Sequence, residues 1–482
     1  MDKVVFWPAH AVADAIHRRD ISSAEVLEEH LSQVSKFNPA LNAIVSLDIE
    51  RARAKARKAD AALRRGEVWG PLHGVPLTIK DAFATEGLRT TFGHRLMSRH
   101  VPRRDATVVS RLLGAGAVLF GKTNVPEVSF DWQTNSPIFG RTNNPWNLSY
   151  TPGGSSGGAA AAIAAGMSPL DIGSDAVGSI RIPAHFCGVF GFKPTLQRVS
   201  GAGHMEISPG YPRGSRHVAS YGPLARTVQD LRLVMSIVAG PDNVQQEVPP
   251  VELRRAPPRS LRECRFAWTD DFGGVPVTVE TRAALNALAE RLKANGCHVE
   301  RAAPAGFDYD SAMETFGEIM GAEGGVQTSA LLLFLSRLSF RLLFGGSPWT
   351  RGVVRGQKLS LRRYAAALTR RDAFITQMEE FLSGWDGWLC PVASVPAFTH
   401  RWKGRRLSVG EERLSYSVAL GSYVTVFNLT GCPAVVLPVE RPVNGLPMGV
   451  QLVGGRWKDM ELLDTAELLT EVTGEFQRPP SY

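Results

Sequence analysis

The chain has 482 residues, enough to bury a sizeable core without disulfides or a structural metal. Hydrophobic residues at 44% and charged residues at 21% are ordinary for a globular protein, which excludes disordered and fibrous classes. The net charge of +8 is spread over helical stretches such as Arg51 to Lys58 and Arg362-Arg363; with no zinc-finger or RNP-type motif beside it, a nucleic-acid partner is not expected.

In chain order, residues 8 to 65 read as helical. Ser22-Ser-Ala-Glu25 is a capping box opening the run Val26 to Val34, and Ile44 to Arg65 is rich in Ala, Arg and Lys. From Gly70 the texture changes to short apolar strands, Val75 to Ile79 and Ala117 to Phe120, with a helix at Thr107 to Leu113 between them. That alternation predicts a mixed α/β layer architecture. Gly153 to Gly201 is dense in Gly, Ala and Ser, a composition that permits close backbone approach and suits a site better than a spacer. A Pro-rich polar stretch, Asp242 to Ser260, reads as a linker, followed by an amphipathic helix over Pro276 to Ala294.

Leu331 to Phe344 is strongly apolar but short and interrupted by Arg337 and Arg341, so it does not predict a membrane span. A buried or homodimer-contact helix is the expected reading, with a substrate-channel wall or a membrane-surface contact as the alternative. Ala434 to Leu437 and Gly449 to Val453 predict two returning strands, and Lys458 to Val472 a final helix. The five cysteines, Cys187, Cys264, Cys297, Cys390 and Cys432, are scattered and form no C-x-x-C pair. With no secretory leader at Met1 to Trp7, they point to a reducing cytoplasm.

Three segments carry residues able to do chemistry. Gly153-Gly-Ser155-Ser-Gly-Gly158 leads into an alanine-rich helix, whose N-terminal N–H groups and dipole would stabilise negative charge. It is not the elbow of an α/β-hydrolase, because Leu148 to Pro152 is no buried strand, and it lacks the Lys-Ser/Thr closure of a P-loop. Ser179 sits in a second small-residue segment, and Lys80 ends the apolar run Val75 to Ile79, where burial would lower its pKa. Asp81 is available to pair with that lysine. The histidines show no metal-ligand spacing, so no metal or other cofactor is expected; His185 reads as a satisfied core residue.

Taken together, Gly74 to Asp81, the Gly153 to Gly158 loop and Asp175…Gly178-Ser-Ile-Arg-Ile-Pro183 resemble the amidase signature family in order and spacing. The likeness continues through Gly121 to Glu127, Asn143 to Trp146, Cys187 to Thr195, Gly222 to Arg226, Gly431 to Pro433 and Gly445 to Gly449. It implies one large α/β domain with a mixed central sheet covered by helices on both faces. The expected divisions are a helical entry segment over 1–68, a signature core over 69–240, a variable helical region over 241–415 and a return to the core over 416–482. It further implies an amidohydrolase acting on a small amide, anilide, carbamate or ester, in which Ser179 is the acyl-forming nucleophile, Ser155 a bridging serine on a cis peptide bond, and Lys80 the final base.

By the same resemblance, the N–H groups of Ala176, Val177, Gly178 and Ser179 form the oxyanion hole. Val177 stands where the family usually has glycine, and the expected explanation is that the position never needed one. Asp175 and Arg181 are expected either to hold the nucleophile loop or to form an ordinary ion pair. Phe130, Trp132, Met205 and Leu331 to Phe344 suggest an apolar or aromatic substrate group. Two alternatives stay open: an amidotransferase A-type subunit releasing ammonia from glutamine, and a non-catalytic binding module. Ile182, where the amidotransferase subunits resemble Ser-Ile-Arg-Gln-Pro, favours a stand-alone hydrolase, and the intact Lys80, Ser155 and Ser179 disfavour a binding module.

Overall fold

A computed structural model describes residues 3–205, 214–326, 328–358, 360–439 and 445–482. The Ser22 capping box forms as expected: the Ser22 hydroxyl accepts from the Glu25 N–H, and the Glu25 carboxylate accepts from the Ser22 N–H, opening the helix Ser23–Leu41. The helical run expected to follow does not begin at once. Ile44–Leu47 is a strand, β1, because Ile44, Ser46 and Leu47 pair antiparallel with β3 (Val118–Thr123), which also pairs parallel with β2 (Pro76–Lys80). Helix resumes only at Ile49–Arg64, so sheet pairing overrides the Ala/Arg/Lys texture for one short element.

After the small hairpin β4 (Asn135–Ser136) and β5 (Gly140–Arg141), the main sheet is built from β6 (Leu170–Asp175), β7 (Phe190–Lys193), β8 (Ser220–Ala225), β9 (Arg265–Trp268), β10 (His298–Arg301) and β11 (Gly387–Pro391). A second hairpin, β12 (Leu407–Val409) and β13 (Glu412–Leu414), precedes the last two strands, β14 (Ala434–Pro438) and β15 (Gly449–Val453). The eight main strands lie in the order β10-β9-β11-β15-β14-β7-β8-β6. Pairing is parallel within β10, β9 and β11 and antiparallel from there on, so the sheet is mixed. The two predicted returning strands therefore sit mid-sheet.

Strand β14 explains why helices cover both faces. Val435 and Leu437 enter one apolar core, with the helices Val228–Val238, Val279–Ala294 and Asp459–Thr473. Ala434 and Val436 enter the other, with Gly157–Ala164, Arg181–Cys187 and Tyr416–Leu429. A strand apolar at every position is what burial on two faces requires. The small sheet joins the large one by side chains: Thr78 of β2 donates from Oγ1 to Asp171 of β6 at 2.8 Å, and the Ser168 hydroxyl accepts from the Thr78 N–H at 3.1 Å. This seam places the end of β2 beside the end of β6.

The apolar segment forms the helix Ala330–Phe344, but the expectation of burial within the chain is corrected. Leu331 is 69% exposed and Leu342 77% exposed. Its inward contacts come from Phe340 and Phe344, against Phe130, Trp132 and Trp349. All five cysteines are buried and free.

Candidate active site

Lys80 closes β2, a strand buried at all five positions, and its side chain is fully buried. The amine donates to Ser155 Oγ at 2.7 Å, Ser156 Oγ at 2.9 Å and Ser174 Oγ at 3.0 Å. Among the described residues it makes no ion pair. Burial pushes its pKa down to about 7, outweighing the nearby negative charges of Asp175 and Asp171, which raise it. Asp81 turns away from Lys80 and accepts from the Thr91 N–H and hydroxyl; burial pushes its carboxyl up to about 6 against the pull of Lys122.

The Gly153 to Gly158 loop is held at close quarters. The Thr134 hydroxyl donates to the Gly153 carbonyl at 2.8 Å and accepts from the Gly157 N–H at 3.2 Å. A Cβ on Gly158 would overlap the Asn124 backbone, which is why this position needs glycine. The Gly154–Ser155 peptide bond is cis, as the resemblance implied. Ser156 is the N-cap residue of Gly157–Ala164, so the positive end of that helix dipole lies at Lys80 and disfavours a charged amine.

Ser179 lies at the far side of this loop and is 4% exposed. Its carbonyl accepts from the Ser156 N–H at 3.1 Å, which ties the two serine segments together. Among the described residues no hydrogen bond joins the Ser155 and Ser179 hydroxyls. The turn between Asp175 and Ser179 is organised by Asp175, whose carboxylate accepts from the N–H groups of Gly178 at 2.8 Å, Ile180 at 3.1 Å and Arg181 at 3.4 Å. Of the four N–H groups expected to stabilise an oxyanion, that of Gly178 is therefore spent inside the turn. Those of Ala176, Val177 and Ser179 have no acceptor among the described residues. Positive φ falls on Gly178, at 89°, and not on Val177, which accounts for a β-branched residue there.

Asp175 also forms a fully buried ion pair with Arg181, Nη2 to Oδ1 at 2.9 Å and Nε to Oδ2 at 3.1 Å. Burial alone would raise the Asp175 pKa, but the Arg181 charge and its hydrogen bonds hold the carboxyl below the ordinary range. Asn428 completes the frame, donating to Asp175 O and Oδ1 and to Val218 O, and accepting from Arg181 Nη2.

His185 is a satisfied core residue: it accepts from the Gly449 N–H at 2.8 Å and meets Val395 O at 3.3 Å, and burial lowers its pKa to about 4. Trp132 reaches the turn between Asp175 and Ser179, its indole N–H donating to Val177 O at 2.7 Å, and Phe130 packs beside it in the aromatic cluster. The Met205 N–H donates to Ala82 O at 2.8 Å, two residues beyond Lys80. Sequence reasoning missed Ser156, Ser174 and Asn428. The first two sit within the Gly/Ala/Ser-rich stretch, where composition was the only signal, and the third gave none. Among the described residues no group of three or more His, Cys, Asp or Glu could hold a metal ion.

Comparison with known proteins agrees with this geometry. The family model described as Amidase matches residues 25–463. The A-type subunit of glutamyl-tRNA(Gln) amidotransferase from Synechococcus sp. (strain CC9902) is 32% identical over 490 residues, covering 96% of this chain and 95% of that protein. An acylamidase from Rhodococcus erythropolis is 32% identical over 480 residues, covering 95% of this chain and 94% of that protein. The structure of 6-aminohexanoate cyclic dimer hydrolase complexed with substrate superposes with a TM-score of 0.80 at 28% identity, covering 100% of this chain and 99% of that one. Fold and matches together define an amidohydrolase. The chain belongs to the amidase signature family.

Proposed function

We propose that the chain hydrolyses a carboxylic amide, or a related anilide or carbamate, through an acyl-enzyme on Ser179, with Lys80 as base acting through Ser155. The observation that carries the proposal is the Lys80 cage: a buried amine, 2.7 Å from Ser155 Oγ, surrounded by hydroxyls and pushed to about 7. Neutralising an ordinary lysine near pH 7 costs about 4 kcal/mol, and burial has already met that cost in the folded chain.

Neutral Lys80 takes the Ser155 hydroxyl proton as Ser155 takes that of Ser179, so Ser179 Oγ attacks the substrate carbonyl. The relay requires the Ser179 hydroxyl to meet that of Ser155 when substrate is bound. The oxyanion that forms is held by the N–H groups of Ala176, Val177 and Ser179, each well-placed donor contributing roughly 3 kcal/mol. The proton returns through Ser155 to the departing nitrogen, the C–N bond breaks, and the amine leaves. Water then attacks the ester by the same relay, releasing the acid and restoring Ser179.

Ile182, a fully buried apolar residue where the amidotransferase subunits resemble Ser-Ile-Arg-Gln-Pro, supports a stand-alone hydrolase over an amidotransferase component that consumes glutamine. A panel of aliphatic amides, anilides, carbamates and glutamine, combined with a serine-reactive probe, tests both readings. Turnover of an anilide or amide with probe mass on Ser179, lost in Ser179→Ala, is the expected result. Ammonia released from glutamine alone would favour the amidotransferase reading, and turnover surviving Ser179→Ala would overturn the assignment.

A further inference from the structure

The helix Ala330–Phe344 has two unlike sides. Phe340 and Phe344 face the aromatic cluster around Phe130 and Trp132, while Leu331, Leu332, Phe334, Leu335, Leu338 and Leu342 are each at least 50% exposed. Its charged residues are Arg337 and Arg341; it carries no Asp or Glu. A loop meets the C-terminal end of this helix. Lys403 Nζ stands 5.7 Å from the Phe344 ring centre, and Gly404 approaches the Leu343 carbonyl so closely that a Cβ there would overlap it. In that loop Trp402 is 86% exposed and is flanked by Arg401, Lys403, Arg405 and Arg406. Beside it opens a cavity of about 710 Å³ whose lining holds Arg95, Arg141, Arg401, Lys403 and Arg405 against two carboxylates, Glu127 and Asp131.

Exposed leucines, an exposed tryptophan and unbalanced cations on one face have different costs before different partners. A second copy of the chain placed helix to helix would bring the arginines of both copies into one interface, with no acidic residue on either helix to offset them. An anionic bilayer accepts all three features: leucines among acyl chains, tryptophan at headgroup depth, arginines on lipid phosphates. No helix of the described residues is long and apolar enough to cross a membrane, so the contact would lie in the surface plane.

We propose that the helix Ala330–Phe344 and the loop from Arg401 to Arg406 form one face that docks reversibly on an anionic lipid surface. The opposite side of the same helix touches Trp132, whose indole holds the carbonyl two residues before Ser179, so the docked face would lie over the approach to the nucleophile turn.

The test is sedimentation of the full chain with vesicles of phosphatidylcholine, with and without phosphatidylglycerol, which needs no turnover and so stands apart from the catalytic reading. The wild type should pellet with the anionic vesicles and be released by high salt. The double substitution Leu335→Glu, Leu338→Glu should bind about tenfold more weakly or worse, Arg405→Glu with Arg406→Glu and, separately, Trp402→Ala less severely, all with unchanged thermal melts because these side chains face solvent. Failure to pellet with either vesicle, or pelleting that the leucine double variant retains in full, would overturn the proposal. So would a stable dimer that the leucine substitutions convert to monomer while no vesicle binding is seen.

Discussion

Lys80 and Asp175 are both fully buried, one at the end of β2 and the other at the end of β6, yet the protein sets their charges in opposite directions. Around Lys80 the closest partners are three hydroxyls, which can serve an uncharged amine as well as a charged one, with the Ser174 carbonyl farther off at 3.5 Å, so desolvation wins and the pKa falls to about 7. Around Asp175 the partners are a guanidinium, an amide and three N–H groups, all donors that favour the anion, so desolvation loses. Depth of burial therefore does not set protonation; the donor and acceptor character of the nearest atoms does. In the proposed relay Lys80 is the base that takes a proton, while Asp175 is a fixed anion that organises the turn to Ser179.

Breaking the Lys80 side should have the largest effect. Lys80→Met is expected to lower kcat/KM by a factor on the order of 10⁴, the loss typical of a member of a catalytic relay, measured on whichever anilide or amide turns over. Breaking the Asp175 side should register first as stability. Asp175→Asn leaves Arg181 buried and uncompensated, a change that costs about 3–5 kcal/mol in urea unfolding. If that variant kept full stability, Asp175 and Arg181 would not frame the turn.

The pH profile sharpens the contrast. Only the uncharged amine accepts a proton, so kcat/KM should rise with pH along a limb centred near the Lys80 pKa of about 7 and fall below it. Lys193 is also buried and pushed down to about 7, but its amine donates to Pro194 O, outside the relay. Lys193→Met should leave the limb in place, whereas Ser174→Ala, which removes an acceptor from the Lys80 cage, should move it to lower pH. The smallest effect is expected at Val177. Because the positive φ belongs to Gly178, Val177→Gly should change kcat/KM by no more than about twofold.

What the sequence revealed and what it hid follow from how each residue is recognised. Lys80 stood out because an apolar run ends on a charge, and Ser155 and Ser179 because glycine and alanine crowd them, but their joint roles came only from the resemblance of the three segments to the amidase signature family. The mixed sheet was legible from short apolar strands, and β14 shows why: both of its faces are buried, so nothing polar interrupts it. Strand β1 was not, because four residues ahead of a strong helical run carry little periodicity, and only their pairing with β3 decides the matter. Ser156 and Ser174 were hidden as Lys80 ligands because a hydroxyl's direction is not written in its neighbours. The helix Ala330–Phe344 shows the same gap in reverse, since an apolar pattern reports a demand for cover without saying where the cover comes from.

The frame around Asp175 and Arg181 also bears on when the protein becomes an enzyme. Arg181 bonds Asn428 and Gln451 across 247 and 270 residues of chain, and Asn428 bonds Asp175 across 253. Contacts so distant in sequence close late, after the intervening chain has been made. A growing polypeptide that already contains Lys80, Ser155 and Ser179 thus still lacks the Asn428 and Gln451 partners of the Asp175–Arg181 pair, and that frame is completed only when nearly the whole chain has been synthesised.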